Sequence, residues 1–428
     1  MVGYNHAFGL IAMSKFIDKC IHTLSGIWPL YGASFAMAIT LSVWWTAMPF
    51  VVRDIGGTEA HVGYAWAANM LGYVCCLLLA ATVPRELNPK HTTRTAAAIM
   101  FSSAVVMGIV VRRALCGQQA LGNPTLIWTM IAAGTVAGAA MSLFWPFIMS
   151  WVSEDFEGPA LNRRLGTYNG TWSSAAIIGP LIGGVLVETN TLLPIVVASF
   201  CLLVCLMLLS MAHDGSLRTS LFEQGSETAT VEHADRAILM KYRWMARIAL
   251  FCAWACLGVS RSQFALLFTG MGYSETWFGI VIMVFGVCNF SVLIAAGRCA
   301  FWHFRPVLLV GVQVLLSMSL LLIIYGHSLS VFVLAFVIMG CGFGFAYSSH
   351  LYYGTSASKK RSLQMVIHEI TLSAGIIIGS GTGGYLAKNV GRYSPYWFAV
   401  AVFGVGLVAQ IVIYLTIPRT NPRAQTGR

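Results

Sequence analysis

Apolar windows bounded by charge, glycine or proline recur along the chain at 29–52, 60–83, 95–115, 125–151, 165–187, 190–212, 244–268, 276–297, 306–326, 329–353, 363–387 and 395–417. Each reaches the ~20 residues that a helix rising about 1.5 Å per residue needs to cross a bilayer. The pattern predicts an all-α integral membrane protein with 12 transmembrane helices. It divides the chain into an N-terminal segment (1–28), a six-helix bundle (29–212), a polar linker (213–243), a second bundle (244–417) and a tail (418–428). Upstream, Phe16, Ile17, Cys20, Ile21 and Leu24 have helical spacing beside Lys15 and Lys19, which predicts a short interfacial helix. Lys15, Asp18 and Lys19 also interrupt what a cleaved signal peptide would need as its apolar region, so this segment is expected to remain.

Composition agrees with that reading. Of 428 residues, 57% are hydrophobic and 10% charged, against about 25% charged in a soluble domain. The net charge of +11 raises nucleic acid as a partner, but no basic solvated domain exists to bind it. Placing the charges gives them another meaning. Arg53, Arg112, Arg113, Lys388 and Arg392 fall in odd-to-even loops and Arg261 deep within a span, while the other 20 of the 26 Lys and Arg are assigned to even-to-odd loops, the linker or the terminal segments, Arg247 at the start of its window being counted with the loop before it. By the positive-inside rule the linker and both termini are cytoplasmic. Most of the 11 cysteines lie in apolar spans and read as small buried side chains rather than a disulfide framework.

The two halves repeat. Ile55, Gly56, Gly57, Thr58, Glu59 and Gly63 return at an offset of 216 as Met271, Gly272, Tyr273, Ser274, Glu275 and Gly279, and Gly179, Gly183 and Gly184 return at 200 as Gly379, Gly383 and Gly384. Such offsets signal two parallel six-helix units. With six plus six spans and a central linker, the chain resembles the major facilitator superfamily of secondary transporters. In span 5, Gly166, Ala175, Gly179, Pro180, Gly183 and Gly184 resemble that family's antiporter motif with one Gly-to-Ala departure. The family's loop after span 2 is degraded here to Pro84, Arg85, Glu86, Leu87, Asn88, Pro89 and Lys90. More narrowly, the chain is similar to facilitator-type proteins of bacterial magnetosome membranes. That likeness implies iron as substrate for magnetite formation, a magnetosome-membrane location and partners among other magnetosome membrane proteins.

One carboxylate, Glu369, stands inside a span, beside His368. An ionised Glu in hydrocarbon costs roughly 2.5–3.5 kcal/mol on insertion scales, so it should face the bundle interior, protonated or paired. We expect Glu369 to be the proton-coupling site with His368 modulating it, and a structural hydrogen bond is the competing reading. His350 and Tyr347 of span 10 are expected near them, and Glu369, His368 and His350 are candidate transient ligands for a divalent cation. Arg261, the sole intramembrane cation, either attracts an anionic group or snorkels to the interface. By the family resemblance, Trp44, Trp45 and Gln263 are cavity candidates, and Tyr168, Asn169 and Trp172 are the internal-repeat counterparts of the Glu369 region. No nucleotide motif or catalytic constellation is present, so neither an enzyme nor a cofactor is expected. Three functions stay open: a proton-coupled transporter of a small solute, iron among the candidates; a drug or metabolite antiporter of the plasma membrane; and a transport-inactive membrane partner or sensor.

Overall fold

The computed structural model describes residues 27–82, 87–117, 121–153, 158–212, 233–356 and 361–417. The expected interfacial helix near Phe16, the loop residues Pro84, Arg85 and Glu86, linker residues 213–232 and the tail lie outside them. Among the described residues, 12 helices are long and apolar enough to cross a membrane. They are α1 (Trp28–Asp54), α2 (Glu59–Thr82), α3 (Pro89–Cys116), α4 (Pro124–Ser153), α5 (Gly158–Thr189), α6 (Leu193–Met211), α7 (His233–Thr269), α8 (Glu275–Arg298), α9 (Pro306–Tyr325), α10 (Leu329–Thr355), α11 (Arg361–Asn389) and α12 (Ser394–Leu415).

Local chemistry sets where several of them begin. Pro29, Pro194, Pro306 and Pro395 occupy first-turn positions of α1, α6, α9 and α12, where a missing N–H is not needed. Ser274 caps α8 by accepting from the Trp277 backbone N–H. Two starts differ from the apolar pattern. Helix α3 begins at Pro89 rather than near 95, because Asn88 accepts from the His91 N–H at 3.2 Å and Pro89 fixes the first turn. Helix α7 begins at His233 rather than near 244, so the end of the expected linker is helical. There the buried Arg243 donates to the carbonyls of Tyr353, at 2.8 Å, and of Ser356.

Large apolar side chains point outward on the peripheral helices: Phe200 is 64% exposed and Val405 73%. Such a surface suits lipid rather than water. The apolar stretches of α1 and α7 are 83% and 72% buried against 22% for α12, which puts α1 and α7 at the centre and α12 at the rim. Helix α1 packs on α5 and α6, and α3 on α4; in the second half α7 packs on α11 and α12, and α8 on α10. The halves meet chiefly along α2 with α11 and α5 with α8.

Glycines make these two seams close. A Cβ on Gly384 would lie 2.9 Å from the Cα of Gly63, and a Cβ on Gly184 would lie 2.5 Å from the carbonyl oxygen of Glu275. On the partner helices, a Cβ on Gly279 would reach the Pro180 carbonyl oxygen at 2.4 Å. Small residues at both seams therefore let backbone touch backbone.

Candidate functional site

The face carrying the start of α1 and the end of α12 is called the terminal face here, and its opposite the distal face. At the distal face the halves are joined by polar contacts. Arg53, in the last turn of α1, pairs with Glu275 in the first turn of α8 at 3.0 Å and with its neighbour Asp54 at 2.9 Å. The Thr276 backbone N–H donates to Glu188 at 2.9 Å. Gln263 donates to the Glu59 carbonyl at 3.3 Å, so this candidate joins α7 to α2. The rings of Phe50 and Phe278 meet edge to face at 5.4 Å beneath the ion pair.

A different cluster lies toward the terminal face. Glu369 is eight residues into α11, about 12 Å along the helix. The buried Tyr73 of α2 donates its hydroxyl to Glu369 Oε2 at 3.0 Å, which bridges the two halves. One residue earlier in the chain, His368 points elsewhere, because successive helical side chains diverge by about 100°. Its Nδ1 lies 2.8 Å from Nδ1 of His350 on α10. Both rings are buried, both Nε2 atoms are without a hydrogen-bond partner, and Tyr347 packs edge-on against His368 at 4.9 Å. One ring nitrogen must donate and the other accept, so two doubly protonated imidazoles cannot share this contact. Among the described residues no group of three or more His, Cys, Asp or Glu is arranged to hold a metal ion. The three candidate ligands split, with the histidines facing each other and Glu369 facing Tyr73.

Tyr347 lies within electrostatic range of Glu369, Tyr73 and Tyr168, so phenols from both halves stand in the neighbourhood of the carboxyl. Near Tyr168, Trp172 donates its indole N–H to Asn169 at 3.1 Å. Trp44 and Trp45 sit elsewhere, lining a small, mostly apolar cavity within the first bundle with Thr40, Asn69, Met100 and Met141. In the span 5 motif, Gly179 and Gly183 lie against α1, Gly184 reaches the other half, Ala175 is buried, and Pro180 stands within α5. Gly166 meets nothing close.

Arg261 is eight residues from the distal end of α7, and its guanidinium lies over the Phe285 ring at 5.6 Å from the centroid. It turns into the protein rather than snorkelling outward. Glu369 and Arg261 therefore occupy opposite halves of the bilayer thickness. Sequence reasoning missed Tyr73, whose hydroxyl gave no periodic signal, and treated Arg247 as a loop charge. The seven-residue spacing of Arg247, Trp254 and Arg261 was the available clue to a shared helix face.

Residues 30–362 match the family model described as Major Facilitator Superfamily. Among solved structures, the fold is similar to the nucleoside transporter NupG, at 13% identity and a TM-score of 0.69 over 90% of this chain and 98% of that one. A POT family transporter in complex with 5-aminolevulinic acid matches at 13% identity and a TM-score of 0.66 over 92% and 96%. A bacterial homolog to the human lysosomal transporter Spinster, in an inward-facing and unoccupied conformation, matches at 12% and 0.61 over 90% and 94%. No curated protein matches the chain in sequence, and the narrower likeness to magnetosome proteins gains nothing from these comparisons.

Proposed function

The chain belongs to the major facilitator superfamily and is an integral membrane transporter of a small solute, and from that premise we propose that its transport is proton-coupled through Glu369. The observation that carries this reading is the Tyr73 to Glu369 hydrogen bond. Among the described residues, Glu369 is the one acidic side chain more than a turn inside a span, and its partner stands on the other half. A carboxyl group so placed senses the relative position of the halves, and its protonation changes what the phenol can donate to. Loading and release of a proton then become linked to alternating access. The basic even-to-odd loops favour cytoplasmic termini, so the distal face opens to the opposite side.

The test is transport in proteoliposomes under an imposed proton gradient. Glu369→Gln is expected to abolish gradient-driven accumulation while preserving counterflow, since the amide keeps the shape and cannot cycle a proton. Accumulation and pH dependence equal to wild type in the Gln variant would end the coupling role, and absence of counterflow for every solute would favour the partner or sensor reading. Iron as cargo and a magnetosome location rest on sequence likeness alone, and ferrous and ferric species belong in the same screen.

A further inference from the structure

Helix α7 is enclosed by α1, α2, α8, α9, α10, α11 and α12. Most of its residues between 249 and 265 are buried, including Cys252, Ala253, Ala255, Cys256, Ser260 and Ser262, whereas Arg247, Phe251, Trp254 and Arg261 keep partial exposure. Three of these are spaced by seven residues and so lie along one face, spanning about 21 Å from Arg247 to Arg261. Arg261 lies deep among these helices, so its exposure is to the interior of the protein, while Arg247 lies closer to the terminal face beside the exposed Trp244. At the 216-residue offset of the repeat, the counterpart of Arg261 is Trp45, so the charge belongs to the second half alone.

The chemistry of the face is one-sided. Arg261 has Phe285 beneath it and, among the described residues, makes no ion pair and no hydrogen bond. A guanidinium lying over a ring keeps its N–H edge free for a planar oxyanion. Trp254, two turns along, has a buried indole N–H without a partner, and an indole nitrogen can only donate. Arg247 lies over Trp244 at 4.8 Å and donates to Gln364 at 3.0 Å, again with no carboxylate paired to it among the described residues. Two cations and a donor stand in a row, backed by Phe285 and Phe343. A free metal cation or an amine would meet like charge here, whereas a carboxylate or phosphate group would supply the missing acceptors.

We infer that the transported solute is a small organic anion, with Arg261 seating its carboxylate or phosphate group and Arg247 receiving it nearer the terminal face. This rests on the transporter reading and names its substrate class. The test begins with binding to the purified full-length protein, measured as thermal stabilisation. The probes are mono-, di- and tricarboxylates and phosphomonoesters, each beside its amide or alcohol and its amine counterpart. Stabilisation is expected from anions and not from their counterparts. Arg261→Gln should weaken it by at least about tenfold, the equivalent of one charge-assisted hydrogen bond, and Arg261→Lys should restore only part because it lacks the planar fork.

No stabilisation by any anion, stabilisation led by neutral or cationic members, or unchanged anion binding in Arg261→Gln would overturn the inference. If Arg261→Gln proves unstable, the ranking of anions over their counterparts on the wild-type protein decides alone. Counterflow of the same solutes keeps the two readings apart. Movement of neutral or cationic solutes sinks the anion assignment and leaves transport standing, while anion binding without counterflow of any solute does the reverse.

Discussion

At the scale of single residues, the site depends on which way two neighbouring side chains turn. His368 and Glu369 read together in the sequence as one acid–base pair, yet they serve different contacts, one with His350 in the same half and one with Tyr73 in the other. The presence of a carboxylate and a histidine inside α11 was legible because both are expensive in lipid. Their partners were not, since a contact 296 residues apart in the chain leaves no local pattern. The histidine pair has its own consequence. His350→Ala leaves the buried Nδ1 of His368 without a partner, which should cost about 1–3 kcal/mol, read as an earlier thermal unfolding of the purified protein. A melting temperature equal to wild type would show that the pair contributes nothing to stability.

Helices were the most legible scale. Twelve uninterrupted apolar windows leave the chain no alternative that satisfies its backbone in lipid, and the structure has a helix over each. What hydropathy did not show is polar helix: the first turn of α3 follows from Asn88 and Pro89, and the start of α7 carries Lys241 and Arg243, whose partners lie on other elements. The repeated glycines were visible as a motif, but their assignment was not. Gly179 and Gly183 pack inside one half, whereas Gly184 and Gly384 press against the other. Gly184→Ala therefore forces α5 from α8, an overpacking worth about 1–3 kcal/mol. A cysteine placed at the fully buried Phe278 should then react with a water-soluble maleimide several-fold faster than in the unaltered seam. Equal labelling rates would mean that the seam absorbs the methyl group without parting.

For the whole molecule, the duplicated sequence becomes two matching seams, α2 against α11 and α5 against α8, each with a glycine on both sides. The offsets 216 and 200 that relate the halves meet in these pairs, because Gly63 corresponds to Gly279 and Gly384 to Gly184. Among the described residues the one ion pair between the halves is Arg53 with Glu275 at the distal face, their side chains 41% and 18% exposed. Arg53→Gln removes it, and the population with the distal face open should rise, measured as faster labelling of the same Phe278 cysteine. An unchanged rate would assign closure to the glycine seams alone. The position of the pair also ties the machine to its surroundings. An exposed pair contributes about 0–1 kcal/mol, and its attraction fades as dissolved ions crowd the roughly 8–10 Å over which charges sense each other in ordinary saline. The brine bathing the distal side thus acts as a solvent for the clasp itself: the compartment the carrier opens toward sets, through nothing more specific than its ionic strength, how readily it opens.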